Sequence, residues 1–184
     1  DDGFPWTALP LSREVAPLKD WRAVRFIEAL CAREGLQIVH THTPKGNFIG
    51  QWGARRAGVP IVLQTLHGFY FHERMNALER QAWIRLEQFS ACHSDLILCQ
   101  NPEDVETAVH EGICSREKIR LLGNGIDLAR FRPGLLDTAE RVAYRARLGI
   151  PGDALLVGMC GRFVAEKGGP EFLAAGKRLL TRHP

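Results

Sequence analysis

The sequence predicts an α/β protein built on a doubly wound parallel sheet. Three observations predict it. Short apolar runs rich in leucine or β-branched residues recur along the chain, and they alternate little between apolar and polar, as strands covered on both faces do. Segments of helical period lie between them. The glycines, histidines and asparagines concentrate where the runs end.

Taken in order, "DWRAVRFIEALCAREG" (20–35) opens the series as a helix. Trp21, Val24, Ile27 and Cys31 share one face, Asp20 is the expected N-cap and Gly35 the expected C-cap. "LQIVHTH" (36–42) is the first clear strand, and Lys45, Gly46 and Asn47 begin a helix after it. "PIVLQTL" (60–66) is the second strand, followed by the amphipathic helix "NALERQAWIRLEQFSACH" (76–93). "DLILCQ" (95–100) is the third. In "NPEDVETAVHEG" (101–112), Asn101 at N-cap, Pro102 at N1 and Gly112 past the end define a helix. "KIRLLG" (118–123) is the fourth strand.

Composition shifts at "DLARFRPGLLD" (127–137), where Pro133 and Gly134 break any element. Residues 1–130 therefore form a first domain and 131–153 a connection containing the helical stretch "TAERVAYRARLGIPGD". Residues 154–184 open a second domain with the strand "ALLVGMC" (154–160) and a helix over 170–182. One strand and one helix cannot bury both their faces, so this second domain reads as truncated.

The totals narrow the function classes. With 184 residues and 45% hydrophobic side chains, a real core is affordable, and a net charge of +3 without a lysine-rich run does not describe a nucleic-acid binder. Five scattered cysteines without a Cys-x-x-Cys pair point away from a disulfide framework or zinc knuckle and toward the cytosol. No apolar run approaches the ~20 residues of a membrane span, and "DDGFPWTALP" is no signal peptide. The expected location is cytoplasmic, with peripheral contact at the inner face of a membrane left open.

In open parallel sheets, ligands bind beyond the carboxyl ends of the strands. His42-Thr43-Pro44-Lys45-Gly46, His67-Gly68, Gln100-Asn101, Gly123-Asn124-Gly125 and Gly161-Arg162 all fall there. The plain alternative is that strand ends are always polar and glycine-rich.

Three segments together, "VHTHTPKGNFIGQWGARRAGVPIVLQTLHGFYFHE", "KIRLLGNGIDLARFRP" and "VGMCGRFVAEKGG", resemble the retaining glycosyltransferases of family 4. Their order along residues 36 to 180 carries the resemblance, since a lone Asn-Gly-Ile-Asp is weak. It implies the Rossmann-like first half of a two-domain GT-B fold plus the start of the second half. It also implies sugar transfer from a nucleoside-diphosphate donor to a cell-envelope or polysaccharide acceptor, sugar or lipid-linked, with retention. Two departures stand out. The family's opening strand and glycine-rich loop would precede Asp1. Its pair of glutamates separated by seven residues in the second domain has no counterpart, because Glu79/Glu87 and Glu103/Glu111, which have that spacing, lie on first-domain helices.

Transfer from a nucleotide-sugar must stabilise a departing diphosphate, which suits fixed cations and backbone N–H donors. Arg162 and Lys167 are the expected cations, with Gly161 and Gly168 admitting a phosphate close to the backbone and Pro170 starting a helix whose amino end attracts anions. His67 matches the histidine of the family's His-Gly loop beside the reacting sugar and is the expected catalytic residue. His42, Lys45, Gly46 and Asn124 are candidates for the acceptor or cleft, Asn124 more for shaping the loop with Gly125 and Asp127. His72 and Glu73 are weaker candidates, and Phe69, Tyr70 and Phe71 read as packing. No Asp-x-Asp motif is present, so neither a metal nor another cofactor is expected. Each residue also has a bland role as a solvated charge or a strand-end histidine bonded to backbone.

Two rivals remain. His40 and His42, two apart on a strand, have a metal-ligand spacing; with His67 or His72 they would make a zinc hydrolase, for which His110 and His183 are poorly placed as further ligands. The other is a non-catalytic split domain that binds a glycolipid or a partner chain.

Overall fold

The computed structural model describes residues 3, 5–12, 14–164 and 167–182, and divides into two compact units, 1–125 and 126–184. His183 and the Ala165-Glu166 pair of the second-domain loop lie outside the described residues.

The first unit is an α/β layer on a four-stranded parallel sheet of order β1-β2-β3-β4. Helix α1 (Pro17–Glu34) buries Ala23, Val24, Ile27 and Cys31, a stripe at helical spacing, and stops at Gly35, whose φ of 60° is left-handed. Its N-cap is Ala16 rather than Asp20; Asp20 sits inside the first turn and its Oδ2 accepts the Ala16 N–H at 3.0 Å. β1 (Ile38–His42), α2 (Pro44–Arg56), β2 (Ile61–Leu66), α3 (Ala77–His93), β3 (Leu96–Cys99), α4 (Pro102–His110), one 3-10 turn and β4 (Ile119–Leu121) follow. Asn76 and Asn101 cap α3 and α4, accepting the N–H groups of Glu79 and Asp104 at 2.8 and 2.7 Å.

Helix α2 is held close to its neighbours by glycine. A Cβ on Gly50 would lie 2.7 Å from Thr41 Cγ2, and one on Gly53 would lie 2.8 Å from Ile27. Two apolar clusters result. One joins α1, α2 and β2 through Val24, Ile27, Ile49 and Val62, and the other joins Leu66, Phe71, Ile84, Ile97, Val105 and Ile119. A buried polar contact also lies on the sheet, where Gln51 Nε2 donates to Thr41 Oγ1 and Gln64 Oε1.

The parallel α/β sheet is the one expected, but its covering is one-sided within this unit. Consecutive strand order with right-handed crossovers puts α2, α3 and α4 on a single face. On that face Thr41, Val62, Gln64, Ile97 and Ile119 are buried. On the opposite face Ile38, His40, His42, Ile61 and Arg120 are exposed and Leu63, Leu96 and Leu98 are half-buried, with Thr65 alone of the paired residues buried there. Apolar runs without alternation do not distinguish a strand covered on both faces from one with apolar residues on an open face.

The second unit holds α5 (Thr138–Arg147) and α6 (Gly169–Arg182). Asp137 and Glu140 form a reciprocal capping box at the start of α5, and Arg145 Nη2 donates to Pro151 O and Ala154 O at 2.7 and 2.6 Å. Residues 154–160, expected as a strand, are not paired into a sheet. A strand exists by hydrogen bonds to a neighbour, and no second strand is present among the described residues of this unit.

Candidate functional site

β1 ends on a histidine and β2 is followed by one, and each histidine leads at once into an unusual backbone. His42 is the last residue of β1, and Thr43 after it has φ 69° and ψ 148°, the one non-glycine with positive φ among the described residues. A β-branched residue there is strained by about 1–3 kcal/mol. His67 follows β2, and Gly68 after it has φ 101°. Both chains therefore turn sharply and leave the imidazoles at the sheet's carboxyl edge.

The rings meet. His42 Nδ1 lies 2.9 Å from His67 Nε2, and the two ring centroids are 5.2 Å apart. His40, two residues back on the same open face, lies 4.4 Å from the His42 ring and bonds Thr65 Oγ1 through Nε2 at 2.8 Å. Partial burial holds the His40 pKa below the ordinary imidazole value, helped by the His42 and His67 charges. The contact between His42 and His67 joins two nitrogens through one proton, so each ring fixes the tautomer of the other. These imidazoles face each other rather than a common centre: among the described residues no three His, Cys, Asp or Glu side chains are arranged to hold a metal ion. That geometry gives the zinc-hydrolase rival no support.

The loop after His67 is locked to α3, which is what its aromatics do. Phe71 is buried and stacks on Phe69 at 4.7 Å, while Tyr70 meets Trp83 at 5.1 Å. The Arg80 guanidinium stands 5.4 Å from the Phe71 ring centroid and reaches Glu111 Oε1 at 2.6 Å. His72 Nδ1 accepts the Arg74 N–H at 3.2 Å, a turn contact.

The other candidates are placed differently. Lys45 Nζ is 2.7 Å from Asp20 Oδ1 and donates to Glu14 O, so its ammonium already ties the segment before α1 to the start of α2. Gly46 makes room for Thr43, whose Oγ1 would stand 3.0 Å from a Cβ there. Asn124 is exposed in the loop after β4, and Asp127 Oδ1 accepts the N–H groups of Ala129 and Arg130, a turn-forming pattern. Gly161, Arg162, Lys167 and Gly168 belong to the second unit. Lys167 N donates to Val164 O at 3.1 Å, and Gly168, at φ 72°, leads directly into α6. Three of the four glutamates with suggestive spacing are engaged within the first unit: Glu79 Oε2 accepts from the Asn76 side chain at 3.1 Å, Glu87 is buried, and Glu111 pairs with Arg80. Sequence reasoning missed the ring-to-ring bond, which depends on strand register, and the strain at Thr43, for which the sequence carries no signal.

All five cysteines are free, and no helix among the described residues is long and apolar enough to cross a membrane. Residues 1–125 match the model of the glycosyl transferase 4-like domain. The chain is 31% identical over 175 residues to a UDP-Gal:alpha-D-GlcNAc-diphosphoundecaprenol alpha-1,3-galactosyltransferase of Escherichia coli, covering 94% of this chain and 44% of that protein. It is 26% identical over 152 residues to a D-inositol 3-phosphate glycosyltransferase of Saccharomonospora viridis, covering 80% and 34%. Among solved structures, a glycosyltransferase from Rickettsia africae superposes with a TM-score of 0.63 at 16% identity, over 92% of this chain and 42% of that one, a likeness of fold. The chain thus spans less than half the length of these relatives.

Proposed function

We propose, proceeding from the fact that this chain belongs to the glycosyl transferase 4-like family, that it forms the acceptor side and the first donor contacts of a sugar transferase. The reaction is transfer from a nucleoside-diphosphate donor to a cell-envelope or polysaccharide acceptor, with retention at the anomeric carbon. What carries this is the position of His67 at the carboxyl edge of the parallel sheet, hydrogen-bonded to His42 at 2.9 Å. A ring held there can bond a sugar hydroxyl or a phosphate oxygen beside the reacting centre.

Arg162 and Lys167 neutralise the departing diphosphate, and the N–H groups after Gly168 add donors at the amino end of α6. No step in this scheme needs a metal. The diphosphoundecaprenol in the name of the Escherichia coli relative favours a lipid-linked acceptor and so work at a membrane surface.

The test has two arms. The chain itself, titrated with a soluble lipid-diphosphate N-acetylhexosamine, should show shifts at His42 and His67 by NMR. A longer polypeptide joining this chain to a whole donor domain should transfer labelled sugar with retention, and inversion at the anomeric carbon would sink the proposal.

A further inference from the structure

We infer that His42 is a positioning residue: its Nδ1–H donates to His67 Nε2 and holds His67 in the Nδ1–H tautomer, presenting a fixed donor to a sugar or phosphate oxygen. This deepens the role given to His67 above and rests on it. The contact has an ordinary hydrogen-bond length, 2.9 Å, and His67 Nε2 can hold a lone pair toward His42 only if its own proton sits on Nδ1. A group that meets sugar hydroxyls and the oxygens of a diphosphate is useful there as a donor, which is the form this direction leaves outward.

Three further features hold His42 in place to do this. Its ring is backed by His40 at 4.4 Å, and His40 is itself tethered to the buried Thr65 hydroxyl at 2.8 Å. The peptide beyond it is held in the strained conformation of Thr43. Register places His42 opposite Thr65, two residues before His67, so the end of the β1–β2 ladder brings His42 close to the first residue beyond β2. The arrangement is that of a reacting imidazole oriented by the group on its far nitrogen.

The experiment is long-range 1H–15N correlation NMR on this chain with 15N-labelled histidine. The expected spectrum shows His67 protonated at Nδ1 and bare at Nε2, with His42 protonated at Nδ1. In His42→Phe, which keeps a ring but removes the donor, the His67 nitrogens should move to averaged or Nε2–H values; in His42→Asn, whose amide donates, the wild-type pattern should return. A wild-type spectrum with the His67 proton on Nε2 overturns the inference, whether or not the variants fold. So does a His67 pattern unchanged in a folded His42→Phe. Failure of the catalytic role of His67 shows up separately, as unchanged kcat of His67→Ala in a polypeptide carrying both domains.

Discussion

A Cβ at Gly53 would stand 2.8 Å from both Cβ and Cγ2 of Ile27 and 2.9 Å from the Val24 carbonyl, so α1 and α2 touch backbone to side chain at this point. Gly53→Ala sets two effects against each other. Alanine favours the helix by up to about 1 kcal/mol, while overpacking a close-packed contact costs about 1–3 kcal/mol. Because the obstructing atoms are a β-branched side chain and a backbone oxygen, neither of which can swing aside, the clash wins. Denaturant unfolding should show a net loss of about 1–2 kcal/mol. Gly176 in α6 is the control: nothing lies within 4 Å of its Cβ position, so Gly176→Ala should leave stability equal or higher.

Glu87 should make the first unit less stable as pH rises. It is 2% exposed, its Oε1 has no hydrogen-bond partner among the described residues, and burial pushes its pKa from 4.5 to about 7. The folded state thus holds the proton more tightly than the unfolded chain. Its stabilising contribution is complete below pH ~4.5 and is lost as pH rises to about 7, a difference of about 3 kcal/mol. Glu87→Gln removes the titration while keeping the shape. Thermal unfolding should find the variant more stable than wild type at pH 7.5, with the gap closing by pH 5. A gap independent of pH would remove Glu87 as its origin.

Arg80→Ala should release the loop behind His67. Arg80 joins Glu111 on one side to the Phe71 ring on the other, and its hydrogen bond holds the Glu111 carboxyl below the usual carboxylate range. Hydrogen exchange should accelerate over residues 68–75, while β1 and β3 keep their protection. Uniform acceleration across the sheet would assign Arg80 to global stability instead.

Much of this architecture is legible in the sequence because it rests on local chemistry. Asn76, Asn101 and Pro102 mark helix starts, and Gly35 and Gly112 mark helix ends, through backbone rules that need no partner. What depends on distant pairing is not legible. Glu87 sits on a helix where a glutamate reads as solvent-facing, yet the packing of α3 buries it. Lys45 looks like an anion ligand at a helix start until Asp20, on another helix, proves to hold it. His42 and His67 are each visible at a strand end, but only the β1–β2 register joins them.

The donor side yields the last prediction. Arg162 and Lys167, which flank "FVAE" in the sequence ahead of α6, are the two cations proposed above to meet the diphosphate. Charge-assisted hydrogen bonds from two such groups are worth about 3–6 kcal/mol gross. Association itself costs ~4 kcal/mol or more, which leaves little net binding. This chain alone should therefore bind nucleotide-sugars at millimolar Kd or weaker and show no turnover. In a polypeptide with the whole donor domain, Arg162→Ala and Lys167→Ala should each lower kcat/KM by about ten- to a hundredfold. Calorimetric titration of the chain with several nucleotide-sugars checks the first expectation, and donor kinetics of the two variants check the second. Micromolar binding with turnover by the chain would mean that residues 1–184 hold far more of the site than these two cations. Unchanged kinetics in both variants would free the loop from any role in anchoring the diphosphate.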